Sequence, residues 1–478
     1  MIRLFNTYFP TRTIVLTLTE AILVTAGFVL AVVFSSGGTT SAQAYLFYEN
    51  GAGRIGLVVL VFVVLMYYFD LYNSAILTNR REVVTRLVGV LGTTFVALAL
   101  LYYTFPDASL GGNVLWSGIL AVAVVVPLWR TIFFVLNRSV RFAERTLIYG
   151  DGPLAAPLID AISQRPELGL RVAGYVGSAP QIAGIPIVES NELTGFVRRE
   201  GIRRIIVTMG DRRGKLSVGE LLKLKASGVL IQDGPEYYES MTGKIPLESL
   251  RLSWLLFSPG FHVPAALRLY KRVFSLFFGL IGVVFSSPLM ALAVIAIRLD
   301  TKGDVIFRQK RVGEFGVPFT VFKFRTMYDP AHDKAGPQPT QTNNGGDDSK
   351  NHIGTPAQHD DPRITRVGRW LRRTRLDELP QLFNIVKGDI SFVGPRPVPP
   401  HEEEQCAAVI PFYKERWLIK PGATGWAQIN RGYNATIEDH KEKLAYDLFY
   451  IKNVSIGLDI YILITTVKIL LLGRGGGR

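Results

Sequence analysis

Four long apolar runs open the chain, near 14–34, 55–69, 87–103 and 114–136. Each approaches the roughly 20 residues that cross the hydrocarbon core of a bilayer. A soluble helical bundle needs polar faces, which these stretches lack. From Arg145 the pattern changes. Short β-rich runs at 145–150, 170–177, 203–210 and 229–232 alternate with helical stretches at 153–164 and 216–227. That alternation predicts a small doubly wound parallel sheet. A fifth apolar run follows at 273–297. Beyond it, 319–327 alternates as a strand with Lys323 and Arg325 on one face, and 376–386 reads as a helix. The stretch 441–453 reads as a charged amphipathic helix. The last, 456–472, is interrupted by Asp459 and Lys468 and predicts an interfacial helix.

Charge next to these runs sets their direction. Arg3 and Arg12 precede the first, Arg80, Arg81 and Arg86 lie between the second and third, and Arg138, Arg141 and Arg145 follow the fourth. The loops 35–54 and 104–113 hold Arg54 as their single basic residue, so both ends of the block belong on the cytoplasmic side. The fifth run has Lys271 and Arg272 before it and Arg298 and Lys302 after it, which gives no preferred direction. Ser286-Ser287-Pro288 lies in its middle. Proline removes a helix hydrogen bond, and serine hydroxyls satisfy freed backbone groups, so a broken helix entering and leaving by one face is expected. The predicted fold class is membrane α plus α/β. It has four transmembrane helices (1–144), a Rossmann-like doubly wound domain (145–258) and a monotopic α+β domain (259–478) whose re-entrant helix is 270–298.

Composition narrows the partners. The 478 residues are 48% hydrophobic and carry a net charge of +14. With so many apolar runs, that charge points to a membrane surface and to anionic lipid or nucleotide substrates, not to nucleic acid. Cys406 is the single cysteine, which excludes a disulfide framework and a thiolate metal cluster. The polar stretch 329–361 reads as a mobile loop, and its scattered His332, His352 and His359 lack the fixed spacing of metal ligands. At the first turn of the middle domain stands Gly150-Asp151-Gly152-Pro153-Leu154-Ala155, a GxGxxA pattern. Asp151 would place negative charge beside a pyrophosphate, and the second strand ends in Gly177-Ser178 without an acid for a ribose. A structural tight turn is the better reading, and any ligand there would be regulatory.

The densest chemistry lies in 376–397. Asp377 and Glu378 follow Arg363, Arg366, Arg369, Arg372, Arg373 and Arg375, and a rigid Pro395-Arg396-Pro397 lies downstream. Acid among so many cations suits a site that handles phosphate. Neighbours on a helix point about 100° apart, so the two carboxylates need separate roles.

In order along the chain, SSPLMALAVIAI, FRQKRVGEFG, KFRTM, DPRITRVGRWLRRTRLDELPQLFNIVKGDISFVGPRP and PGATGWAQIN resemble the bacterial sugar transferases. These are the polyisoprenyl-phosphate hexose-1-phosphate transferases, and the likeness runs from about 270 to the C-terminus. With the preceding domains the chain resembles the larger glucose or galactose phosphotransferases, and its opening is similar to the subgroup of PEP-CTERM exopolysaccharide loci. The resemblance implies a monotopic catalytic domain on the cytoplasmic face of the bacterial inner membrane, in contact with its lipids. It implies transfer of sugar 1-phosphate from a UDP-hexose to undecaprenyl phosphate with release of UMP, supported by Mg²⁺, and a homodimer. By the same resemblance Asp377 is the nucleophile and Glu378 binds the metal or tunes the proton environment. Arg396, held between prolines, suits bidentate phosphate contact; Lys323, Arg325 and Arg375 are further phosphate candidates. Gly425, Trp426 and Gln428 either line the donor pocket or form a packing turn. Asp447 and Tyr450 match family positions without an assigned role, Asp304 replaces a frequent proline, and Ala423 a frequent isoleucine. Two rivals stand beside this reading: a membrane glycosyltransferase that moves sugar without phosphate, and a membrane sensor binding nucleotide at the GDGPLA turn. The hexose itself is left open.

Overall fold

The computed structural model describes residues 2–4, 7–72, 80–138, 143–165, 168–177, 184–209, 216–250, 252–258, 260–328, 361, 363–431 and 436–471. The stretch 329–360, with His332, His352 and His359, and the end 472–478 lie outside the described residues. The chain forms two compact units, Met1–Arg3 with Tyr8–Tyr237, and Leu4–Thr7 with Tyr238–Arg478.

The first unit begins with helices α1 (Thr11–Ser35), α2 (Thr39–Tyr48), α3 (Gly51–Tyr68), α4 (Arg80–Thr104) and α5 (Gly112–Arg138). Four of these, α1, α3, α4 and α5, are long and apolar enough to cross a membrane, and a fifth such helix lies in the second unit. Val24, Phe28, Val58, Phe62, Met66, Val90, Leu98 and Val122 meet inside the bundle. Leu18, Ile22, Leu60, Val88, Leu100, Leu120 and Val124 are exposed on its outside. Apolar residues inside and out mark helices solvated by lipid, so this is a membrane protein. Gly118 lets α5 approach α1, since a Cβ there would lie 2.4 Å from the Phe28 ring. Glu20 on α1, an acid inside an apolar run, is neutralised by Arg130 on α5 at 2.6 Å. The short α2 falls in a stretch read as loop.

The same unit continues with β1 (Glu144–Tyr149), α6 (Ala155–Ser163), β2 (Leu170–Val176), α7 (Leu193–Glu200), β3 (Arg204–Val207), α8 (Val218–Ala226) and β4 (Leu230–Asp233). The strands form one parallel sheet in the order β2-β1-β3-β4. Buried Leu147, Ile148, Ile205 and Ile206 line its centre, and the predicted alternation holds to within a few residues.

In the second unit, helix α9 (Ala265–Asp300) precedes the antiparallel pair β5 (Ile306–Val312) and β6 (Pro318–Phe324). Then come α10 (Arg366–Arg373), α11 (Gln381–Lys387), β7 (Ser391–Val393), α12 (Pro400–Val409), β8 (Gly422–Thr424), α13 (Ile437–Lys452) and α14 (Ile456–Leu471). The unit starts well before 259. Trp426 donates to the Gly243 carbonyl at 2.8 Å, Ile245 donates to Ala445 at 3.0 Å, and Lys452 pairs with Glu239 at 2.5 Å.

Three elements differ from expectation. The stretch 376–386 is not one helix: a 3₁₀ turn, Leu376–Glu378, is separated from α11 by Pro380. Helix α9 continues over 36 residues with Pro288 inside it. Ser287 Oγ donates at 2.7 Å to the carbonyl of Val284, the group that Pro288 leaves without its usual N–H, and Ser286 donates to Gly282 at 2.6 Å. Finally, α13 is not an exposed amphipathic helix. Leu444 through Ile451 are all buried, because the acids of α13 find partners inside the fold.

Candidate active site

The two carboxylates sit on one tight turn whose position is fixed from both sides. Thr365 caps α10, its hydroxyl accepting from the Gly368 N–H at 2.8 Å. Gly368 lies so close to the end of β6 that a Cβ would meet the Thr326 carbonyl at 2.1 Å. Leu371 buries against Ile297 and Phe324. Arg375 then reverses the chain with φ of +58°, a conformation that costs a non-glycine residue roughly 1–2 kcal/mol. That reversal presents Asp377 and Glu378 on the 3₁₀ turn.

Cations converge on the turn from distant sequence. Lys323 on β6 donates to Glu378 Oε1 at 2.9 Å, and an Arg396 nitrogen lies 3.9 Å from the same oxygen. Burial pushes the Glu378 carboxyl upward, but Lys323, Arg396 and Arg375 outweigh burial and hold it at about 2. Asp377 moves the other way. Burial and then the charge of Glu378 raise its carboxyl, against the opposing pull of Lys323, Arg372 and Arg375. Glu378 is an anion tied to cations; Asp377 is the less stabilised anion of the two.

Residues that the sequence reading did not single out hold this geometry. Asn384 of α11, fully buried, accepts from the Phe322 N–H at 3.1 Å and donates to the Thr320 carbonyl at 2.7 Å. It thereby fixes the helix after the acids to the strand that carries Lys323. The Pro395-Arg396-Pro397 loop is held by its own carbonyls. Pro395 accepts from the Gly422 N–H at 2.9 Å, Arg396 from Arg416 at 3.4 Å, and Pro397 from Arg311. A lone Asn or Asp inside an apolar run, as in LFNIV or AYDLFYI, is the signal that marks such residues.

Two groups of expected site residues are used otherwise. Arg325 is buried, donating to the Lys302 carbonyl at 2.7 Å and to Thr301 Oγ1 at 2.8 Å. It pins the end of α9 to the end of β6, facing away from Lys323 and Glu378. Trp426 is buried, stacked on Phe449 at 5.6 Å between centroids, and Gly425 lies against Gly394, where a Cβ would meet a carbonyl at 2.2 Å. Gln428 reaches back toward the Ala423 carbonyl at 3.5 Å. These three form a packing turn beneath the Arg396 loop. In the first unit, the GDGPLA turn is likewise engaged within the fold. Asp151 accepts from the Tyr175 hydroxyl, Thr208 donates to the Gly150 carbonyl at 2.6 Å, and a Cβ on Gly150 would strike Met209 at 2.3 Å.

Residues 266–473 match the bacterial sugar transferase family, and residues 67–224 match a CoA-binding domain. The chain is 36% identical over 238 residues to a UDP-N-acetylgalactosamine-undecaprenyl-phosphate N-acetylgalactosaminephosphotransferase of Aeromonas hydrophila. That match covers 50% of this chain and 51% of the relative, so the chain spans about half the relative's length. It is 32% identical over 354 residues to a UDP-glucose:undecaprenyl-phosphate glucose-1-phosphate transferase of Klebsiella pneumoniae, covering 72% of this chain and 71% of that one. Similarity to the enzyme of the same name from Xanthomonas campestris pv. campestris, 28% over 499 residues, extends over 98% and 96% of the two chains. With the unequal acids, their cations and the Arg396 loop all inside residues 266–473, the chain belongs to the bacterial sugar transferase family.

Proposed function

We propose that this protein transfers a hexose 1-phosphate from a UDP-hexose to undecaprenyl phosphate, releasing UMP and beginning an exopolysaccharide repeat unit. The observation that carries the reading is the pair of unequal acids on one turn, ringed by Lys323, Arg372, Arg375 and Arg396. An Asp377 carboxylate oxygen attacks the phosphorus that bears the sugar. The new O–P bond forms as the bridging P–O bond breaks, and UMP departs with that electron pair. A phosphate oxygen of undecaprenyl phosphate then attacks the same phosphorus and displaces the Asp377 carboxylate. Phosphoryl transfer of this kind is limited by positioning and charge neutralisation. Lys323 and Arg396 supply both from fixed positions.

Glu378, with Asp377 beside it, is the residue that would hold Mg²⁺. Among the described residues no group of three or more His, Cys, Asp and Glu converges. One or two carboxylates completed by substrate phosphates and water is the donor set Mg²⁺ accepts. Bound there, the ion neutralises charge on the phosphate oxygens.

The packing of α9 supports a placement at the membrane face. Before Pro288, Arg272 donates to the Ile385 and Val386 carbonyls at 3.1 and 2.9 Å, and Gly279 and Gly282 lie against Ile385, Val386 and Leu382. After Pro288, Met290, Ala293 and Ile297 pack with Phe324 and Leu371, and Leu382 joins that cluster too. A crossing helix would have about 30 Å of its length in hydrocarbon, which leaves no room for one domain on both halves. Its other side exposes Phe277, Val284, Phe285, Leu292 and Leu299. These contacts support a helix that enters and leaves by the cytoplasmic face, bringing a soluble donor and a lipid phosphate to one carboxylate.

The test is product analysis over a panel of UDP-hexoses with undecaprenyl phosphate and the purified protein. UMP is the expected nucleotide; UDP would assign the rival glycosyl transfer. Asp377→Asn is expected to abolish UMP release, and full activity in that variant would overturn the covalent mechanism.

A further inference from the structure

Helix α13 carries Asp447 and Tyr450 one turn apart, within a run buried from Leu444 to Ile451. The reaction above uses neither. The Asp447 side chain is 1% exposed and pairs at 2.5 Å with Arg416, which is 4% exposed. The Arg416 guanidinium lies between the rings of Tyr413 and Trp417, 4.9 and 4.8 Å from their centroids, and donates to the Tyr413 hydroxyl at 2.6 Å. The nitrogen that meets Asp447 also donates to the Arg396 carbonyl at 3.4 Å. One turn on, the Tyr450 hydroxyl donates to Asp459 at 2.5 Å. Lys271 in turn donates to that hydroxyl at 2.6 Å, to Asp459 at 2.8 Å and to the Val393 carbonyl at 3.1 Å. One stretch of α13 thus stands behind two carbonyls three residues apart, on either side of Gly394-Pro395.

Buried ion pairs are a weak source of stability, because apolar residues of like volume do as well or better. What they do supply here is direction. Arginine's planar fork holds its carboxylate and carbonyl partners at angles fixed in advance, which the freely rotating ammonium of a lysine does not impose. We propose that Asp447 is a positioning residue: through Arg416 it fixes the backbone of Arg396, so that the Arg396 guanidinium stands at Glu378 and the donor phosphates. The proposal rests on the phosphate role given to Arg396 above.

The test is a double-mutant cycle on the full chain in phospholipid nanodiscs, read by UDP binding in calorimetry and by the KM and kcat of UMP release. Asp447→Asn and Arg416→Lys are each expected to weaken UDP binding about tenfold or more, as loss of a group that orients a ligand contact from behind does. Both should alter KM and kcat in the proportion that Arg396→Ala does. Combined with Arg396→Ala, neither should weaken binding further, since the residue they orient is gone. Wild-type binding in either folded single variant, or factors that multiply in the double variants, would overturn the proposal. Arg416→Lys keeps Asp447 paired with a cation, and decides the case if Asp447→Asn does not fold. Wild-type protein that binds UDP without releasing UMP would sink the assigned reaction and leave this coupling standing.

Discussion

Arg375 holds a backbone conformation that glycine would adopt without strain, yet it is an arginine. Its charge pulls on both Asp377 and Glu378, so the strain is tolerated where the cation is needed. Arg375→Gly should therefore separate the two properties. Stability is expected to stay within about 1 kcal/mol of wild type, because strain is relieved while unfolded-chain entropy rises. UMP release should fall by about tenfold or more, as for loss of one charge-stabilising group. Parallel thermal melts and turnover measurements check this, and an equally active variant would remove Arg375 from the site. Arg325 teaches the opposite lesson. Simple alternation puts it on one face with Lys323, but β6 ends at Phe324, so Arg325 turns away to Thr301 and Lys302.

Helix α13 shows why an element's existence was readable from its pattern while its surroundings were not. Its charges suggested a solvated face, but Asp447 is buried with Arg416, and Asp439 lies inside the first turn. The Asp439 carboxylate accepts from the Thr436 hydroxyl, the Asp439 N–H donates back to that hydroxyl at 3.2 Å, and Arg431 lies 3.4 Å away. Burial pushes Asp439 up, but these partners outweigh it and hold the carboxyl below its ordinary value. The anion is thus favoured by folding. Its contribution is complete above the ordinary carboxylate value and is lost as pH falls through the lowered one. Asp439→Asn should cost about 1 kcal/mol at neutral pH, the net worth of an intramolecular hydrogen bond, and should flatten the acid side of the stability profile. Melting midpoints from neutral pH down to about 3 check it. A variant whose acid-side slope matches wild type would refute the assignment. Helix α9 gives a related contrast: Ser287-Pro288 was visible as a special site, its serine hydroxyls serving freed backbone groups, whereas the continuity of the helix through it was not.

Across the second unit, packing on both halves of α9 supports the proposal that the turn bearing Asp377 and Glu378 and the helix share one side of the membrane. Glu438 at the start of α13 is 79% exposed and gives a clean reporter. The chain's one cysteine, Cys406, is fully buried, so Glu438→Cys adds a single accessible thiol. An impermeant maleimide should label it in inverted vesicles and not in intact cells; labelling from the outside would mean that α9 crosses. Much of the architecture was legible in advance. Apolar length, strand–helix alternation and the motif around Asp377 and Glu378 are properties of contiguous residues, written in one dimension. The sequence by itself therefore determined a membrane block, a parallel α/β sheet, a sugar transferase domain and its acidic pair. Only the tertiary structure decided which cations meet those acids and what holds them there. Lys323 and Glu378 are 55 residues apart, Asn384 and Thr320 are 64 apart, and Arg416 and Asp447 are 31 apart. Such partners are chosen by how helices and strands pack, and no local pattern encodes that choice.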